Sequence, residues 1–380
     1  MLAKFYSFPG FDGEGNIMPF ANVFLFNTCN ILEYSYTKRW SKPGEFTMVL
    51  PFDKDTLKSL RLNGIIVVGE DSMSSGRTDF LWIQSISYDG EKITLTGKDL
   101  KGLLETRISL YESSGANDVG VDGYDVVEGT TAECIEHYIN NNCINPDNEK
   151  RRLPLRFLGG ADGLASDSYM ARLECLSDIV TKLCDNADIG YDIRGYLGGS
   201  GFNVYTLSGT DRRGSQNVNT RAIFSVRRRN VCSQSFEHGV DDLYNAIYGT
   251  SSDDYTSLVN RDGVEETGAA RRECNVSVSV AIEDSWFTKY VLEQVRDNAA
   301  THSYTIDVSE NSGYGDDYIL GDIVTVQDDF TGDIYNARIT EVTKSISAGQ
   351  RKTTITLGQQ KQKLLQRIVN NLISGTQRRR

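Results

Sequence analysis

Histidine is scarce. The 380 residues carry three, His137, His238 and His302. None stands with a carboxylate and a serine or cysteine in a recognised nucleophile motif, which removes the usual triad route to hydrolysis. The chain also lacks HExxH, GxSxG, a GxxxxGK(S/T) phosphate loop and a dinucleotide fingerprint, so the chemistry tied to those motifs has no anchor here. Proline is low at 6 while glycine reaches 35, a balance that fits tight β-turns better than a disordered, proline-rich chain. Long apolar runs are missing. The longest compact one is Ile65-Ile66-Val67-Val68, against the ~20 residues needed to cross a bilayer. No apolar run of signal-peptide length follows Met1. A soluble protein made in the cytosol, without a membrane anchor, is expected. Positive charge is also in the minority, with 40 Lys and Arg against 52 Asp and Glu for a formal net charge of −12. A broad nucleic-acid-binding face needs the opposite sign. Lining a channel, an acidic surface would instead repel a passing polyanion and keep it from sticking.

Seven cysteines are present, an odd number at wide spacings: Cys29, Cys134, Cys143, Cys175, Cys184, Cys232 and Cys274. They read as buried free thiols. Cys134/Cys143 and Cys175/Cys184 are too far apart for a tight zinc knuckle, and only His137 lies near, on the helix of Cys134. Adjacent carboxylates recur at Asp241-Asp242, Asp253-Asp254, Asp316-Asp317 and Asp328-Asp329. Neighbours on a strand point to opposite faces, so such pairs do not form a shared acid/base site. They read as solvated loops, with a weak calcium site at Asp316 and Asp317 as the sharper alternative. No catalytic, cofactor-binding or metal residue is expected.

What is present is a divided sheet. Strand-like segments fill residues 20–100 and 303–358, each ending in strand, turn and strand (DFLWIQSISYDGEKITLTGKDL and DIYNARITEVTKSISAGQRKTTITLG). Two similar halves around an insertion suggest one β-domain built from both ends of the chain. The fold class is therefore mainly β with α+β insertions. EFTMVL after Pro43-Gly44 alternates with period two, and Asp89-Gly90 is a hairpin signal. Phe46, Met48, Leu50, Trp82, Ile93 and Leu95 are expected in the core. Asp53–Leu60 reads as a short helix or turn, and Leu100, Leu103, Leu104 and Ile108 as a short amphipathic helix.

In the insertion, Thr130 or Thr131 can cap a helix to Asn141. A longer helix is expected from Tyr169 to Asn186. Ile189–Ile193 and Phe202–Tyr205 then read as a hairpin across the glycine-rich Gly195–Gly201 turn, giving a small α+β domain. Residues 249–272 read as a long polar excursion, Trp286–Val295 as helical, and Gln359–Leu372 as a tail helix before a basic end. The domains implied are 1–105 with 303–358, an α+β insert at 106–205, a second β-rich part at 206–302, and a C-terminal helix and tail at 359–380. Arg227-Arg228-Arg229, the one dense basic cluster inside the chain, has two readings: a solvated or salt-bridged edge, or a subunit contact with acidic residues of a neighbour.

Several segments together resemble the siphophage tail-tip hub proteins, the tail-associated (Tal-type) relatives of the central hub of contractile tails. They are EFTMVLP (Glu45 to Pro51), SYDGEKITLTGKDLKGLLETRI (Ser87 to Ile108), GYDVVEGTTAECIEHYINNNCINP (Gly123 to Pro146), LSDIVTKLCDNADIGYDI (Leu176 to Ile193), and IYNARITEVT followed by ITLG. The resemblance implies tail-tube-like β-barrel domains assembled from both ends of the chain, and a homotrimer. Such a trimer would adapt a sixfold tail tube and distal tail ring to a threefold tip and line the DNA exit channel. The partners implied are copies of the chain itself, a distal tail protein and a tail-tube or tape-measure protein. A separate fibre, needle or lysin protein would complete the tip, with DNA only as transient cargo. The location implied is the tail tip of a virion or tail-like particle, after synthesis in the bacterial cytoplasm. A receptor-binding tail-tip protein, using loops near 71–78 and 311–317, and a tail-associated cell-wall hydrolase are the alternatives.

Overall fold

The computed structural model describes residues 1–69, 78–110, 125–195, 198–251, 256–278, 287–288, 291–292, 294–295, 298, 301–308, 313–347 and 349–359. The chain divides into two units. One comprises Met1–Gln234 with Ile306–Thr356, the other Ser235–Thr305 with the residues after Thr356.

The first unit is organised by the divided sheet. Glu33–Arg39 lies antiparallel to Ile334–Ser347, from Arg39 opposite Glu341 to Glu33 opposite Ser347. The N- and C-terminal clusters thus share one hydrogen-bonded ladder. From Glu33–Arg39 the sheet continues through Glu45–Pro51, Lys92–Asp99, Asp79–Tyr88, Ile65–Gly69 and Leu2–Tyr6 to Phe24–Thr28. In the other direction it passes through Gln350–Gln359 and Thr301–Val308 to Val231–Gly239. Among the described residues this path is open, and no pairing joins its two ends into a closed barrel. The end strands bury little: Val231 alone is buried in Val231–Gly239, and no residue is buried in Phe24–Thr28.

The run Ile65-Ile66-Val67-Val68 has no polar alternation because both sheet faces are covered. Ile66 and Val68 join Phe46, Met48, Leu50, Leu81, Ile83, Ile93 and Leu95 in one core. Ile65 and Val67 face the other way, with Phe80 and Trp82, into the core shared with the α+β insert. Trp82 and the other five expected core residues are therefore all buried but lie on opposite faces of the sheet. A register shift between Ile83 and Ser85 turns the second half of Asp79–Tyr88 over, so Ile86 packs with the first core instead of following Trp82. Met48 sits between Tyr34 and Leu95 on the two flanking strands and is fully buried. Met48→Ala should cost about 2–5 kcal/mol of stability. Urea denaturation will read this as a lower midpoint at unchanged slope; a loss below about 1 kcal/mol would show that the site collapses around the truncation.

The insert follows from local signals in most places. Thr130 caps the Thr131–Ile139 helix by accepting from the Glu133 amide at 3.2 Å, and the Glu133 carboxylate in turn accepts from the Thr130 amide at 2.7 Å. The helix runs on as a wider turn over Asn140–Ile144, where the buried Asn142 donates to the Tyr138 carbonyl at 2.9 Å. The next expected helix begins later than its periodicity suggests. Asp167–Ala171 is a strand paired with Asp125–Gly129, Leu173 takes a φ of 55°, and the helix spans Leu176–Asn186. A leucine in that left-handed region cannot continue a helix, so Tyr169 belongs to the strand. Gly190–Gly195 and Phe202–Leu207 pair antiparallel as expected, and Leu155–Gly160 adds in parallel to Phe202–Leu207. Leu100–Thr106 is a 3₁₀ helix, not α, and Asp53 caps Lys54–Ser59.

In the second unit, Ala246–Ser251 pairs antiparallel with Thr256–Asn260 and parallel with Glu273–Val278. A strand thus lies within the stretch read as a polar excursion. Of Thr256–Asn260 only Val259 is buried, too little apolar alternation to declare it. Val259 packs with Ile247 and Val276 against Phe287, Val291 and Val295, whose i, i+4, i+8 spacing matches a helical face. No helix among the described residues is long and apolar enough to cross a membrane. The 71–77 part of the loop offered for receptor binding, Trp286, and the tail after Gln359 lie outside the described residues, as do Tyr196 and Leu197 of the glycine-rich turn.

Candidate functional site

Two features stand apart from ordinary core: an exposed basic tip and a buried ionic seam, both in the first unit. The tip begins with Ser225, whose hydroxyl accepts from the Arg227 amide at 3.1 Å and caps the single turn Val226–Arg228. Asn230 closes the turn, its side chain accepting from the Ser225 amide at 3.1 Å and donating to the Ile223 carbonyl at 2.8 Å. Arg229 bends the chain with a φ of 59°. This geometry leaves Arg227, Arg228 and Arg229 all exposed. Arg227 Nε lies 3.3 Å from Asp329 Oδ1. Among the described residues Arg228 and Arg229 form no ion pair.

Asp329 belongs to the turn between strands Ile323–Gln327 and Ile334–Ser347, and it also accepts from the Val226 amide at 2.7 Å. The preceding Asp328 is buried, and its carboxylate accepts from the Phe330 amide at 2.7 Å and from Gln234 Nε2 at 3.1 Å. The turn so fixed holds Phe330 86% exposed, with Ile334 at 66% and Val226 at 45%. Phe330 goes unannounced by the motifs of the sequence. Its signal was an aromatic flanked by turn residues in DDFTGD, where a solvent-facing polar side chain is the ordinary choice.

The seam joins the main sheet to the insert. Asp192, on Gly190–Gly195, accepts from Lys38 Nζ and Arg194 Nε, each at 2.8 Å. Nearby, Lys101 is fully buried, donates to the Arg39 carbonyl, lies 5.1 Å from the Tyr191 ring centroid and stands 4.0 Å from Asp99. Burial raises the Asp99 carboxyl and lowers the Lys101 ammonium, and their mutual attraction offsets only part of each shift. Burial also works against an ionised Asp192, but Lys38 and Arg194 outweigh it and hold the group at about 2. The alternation Ile189, Tyr191, Ile193 places Asp192 on the outer face of its strand; an insert that packs on both sides buries it.

The remaining candidates are scattered. Cys134, Cys143 and Cys184 are buried and all seven thiols are free; burial pushes Cys143 up to about 12, which suppresses thiolate chemistry. His137 Nε2 is 2.7 Å from Asp125 Oδ1. The Asp317 amide donates to the Gly313 carbonyl at 2.7 Å, as in a tight turn. Among the described residues no three His, Cys, Asp or Glu side chains converge to hold a metal ion. The arrangement offers surfaces and fixed geometry.

Solved structures share this fold. The 43 kDa tail protein of prophage MuSo2 from Shewanella oneidensis is similar over 93% of this chain and 95% of its own, at a TM-score of 0.54 and 12% identity. The tail protein from Neisseria meningitidis MC58 is similar over 94% of this chain and 96% of its own, at a TM-score of 0.52 and 15% identity. No curated protein matches the sequence. The family model described as Siphovirus ReqiPepy6 Gp37-like protein matches residues 28–359, and the chain belongs to that family, in keeping with the resemblance of its motifs to siphophage tail proteins.

Proposed function

We propose that the protein is a structural baseplate hub of a phage or phage-like tail tip. In this reading three copies form a ring that adapts the sixfold tail tube and distal tail ring to a threefold tip and lines the DNA exit channel. The observation that carries it is the sheet built from both ends of the chain, with Glu33–Arg39 paired to Ile334–Ser347 and an α+β insert between them. Membership of a siphovirus family and the tail-protein fold support it. The net charge of −12 suits a lumen through which DNA slides without adhering. Residues 1–105 and 303–358 would supply one tube-like barrel domain and 206–302 the second, with the 106–205 insert between them and the 359–380 tail beyond. A distal tail protein and a tube or tape-measure protein would lie on one side, with a fibre, needle or lysin protein on the other. Arg227, Arg228 and Arg229 would contribute to the contact between subunits. Light scattering of the full chain should give a threefold mass at micromolar concentration, and images of the particle should show threefold symmetry. A strict monomer, both in solution and in assembled tails, would sink the reading.

A further inference from the structure

The tip formed by Val226, Phe330 and Ile334 carries more exposed apolar surface than its fold requires. It is held firmly. Besides the Asp328 carboxylate contacts, the Gly332 amide donates to the Asp328 carbonyl at 2.8 Å and the Asp328 amide to the Asp333 carbonyl at 2.9 Å. An aromatic on a turn whose backbone is already fixed loses little backbone freedom when it docks, and only its two side-chain torsions remain to be ordered. Aromatic and arginine side chains are also the types that most often dominate interface energies. Arg227, whose turn is bound to Asp329, brings Arg228 and Arg229 to the same end of the sheet.

We propose that Phe330 is the anchor of the contact between copies of this chain, entering a pocket on a second copy while Arg228 and Arg229 pair with carboxylates at its rim. The inference rests on the ring reading above and deepens it by naming the anchor of the contact and the charges beside it. Charge complementarity selects the occupant: 52 acidic against 40 basic residues make the remaining surface of a second copy the natural counterpart of two arginines that form no ion pair among the described residues. The same charges fix the geometry. Tip packed directly on tip would set arginine against arginine, so the tip meets a different, acidic surface of its neighbour. A head-to-tail contact of that kind generates a ring where its rotation closes. A DNA duplex would also attract the arginines, but it offers no apolar pocket for Phe330, Ile334 and Val226.

The test uses the full chain in two variants, Phe330→Asp and Arg228→Glu with Arg229→Glu, followed by sedimentation velocity across a concentration series. Each should raise the concentration for half-assembly on the order of 30-fold or more. The effect of the charge reversal should shrink as salt rises. All sites are exposed, so melting temperatures should stay within a few degrees of the parent. Phe330→Ser, which keeps the turn polar and uncharged, must weaken assembly in the same direction. Parent-like assembly in every variant overturns the anchor and leaves the ring reading standing, whereas a parent chain that stays monomeric at all concentrations overturns both. Lost retention of a short DNA duplex with assembly intact would assign the tip to nucleic acid and overturn the proposal.

Discussion

Asp192→Ala will destabilise the protein by about 3–5 kcal/mol, because it leaves a lysine ammonium in a poorly hydrated seam without its counter-ion. Lys38 projects from the main sheet and Asp192 from the insert, so their 2.8 Å contact crosses between two layers of one unit. Arg194 is more exposed and can turn to water when the carboxylate is removed; Lys38 is less free to do so. Asp192→Asn should cost less, since an amide oxygen still accepts from Lys38 although the charge is gone. The pair also sets an acid limb. The folded carboxyl lies at about 2 against an ordinary 3.8, so folding favours the ionised form. That contribution, about 2 kcal/mol, is fully present above the ordinary carboxylate range and is lost as pH falls from about 5 towards 2. Asp99 runs the other way, because burial raises its carboxyl and protonation relieves that cost on acidification. Urea denaturation at a series of pH values should show a parent stability that declines on acidification, and an Asp192→Ala profile that starts lower and declines less. A loss below about 1 kcal/mol with an unchanged acid limb would mean that the seam is solvated and the ion pair incidental.

The second large effect is at Gly321, with Gly321→Ala expected to cost about 2–6 kcal/mol. Two independent penalties add. The backbone there has a φ of 94°, which a residue with a β-carbon rarely adopts. A β-carbon would also fall on the six-membered ring of Trp40, an overpacking cost of about 1–3 kcal/mol. Trp40 is buried, and the Arg338 guanidinium lies 5.3 Å from its ring centroid while bonding to Asp188 at 2.6 Å. The indole therefore cannot yield without disturbing a second set of contacts. Gly190 separates the two terms. Its β-carbon would meet the same indole, but its φ is ordinary. Gly190→Ala should thus carry the packing cost alone, about 1–3 kcal/mol. Equal losses at the two glycines, measured side by side by chemical denaturation, would remove the backbone term from the account.

Much of this architecture was legible because its causes are local. Thr130 and Glu133 announce a helix start at a fixed spacing, and Asp53 does the same for a shorter one. The two strand clusters suggested a common sheet, and the Arg39–Glu341 register joins them. The missing parts depend on what packs from a distance. Nothing near Asp192 in the chain says that its strand is covered on both faces. The helical period through Tyr169 gives no warning that Asp125–Gly129 captures that segment as a strand. The tip was half legible: a run of three arginines is visible in any reading, whereas Phe330 gains meaning only when Asp329 draws its turn to theirs.

The join between Arg39 and Glu341, 302 positions apart, also dictates a schedule. A ribosome adding ~5–20 residues per second exposes Glu33–Arg39 on one side for tens of seconds before Ile334–Ser347 exists. During that wait the strand is an open template for nascent chains on the same message, and premature termination anywhere upstream of residue 334 yields a polypeptide with that template permanently uncovered. Synthesis of Ile334–Ser347 is therefore the event that covers this template.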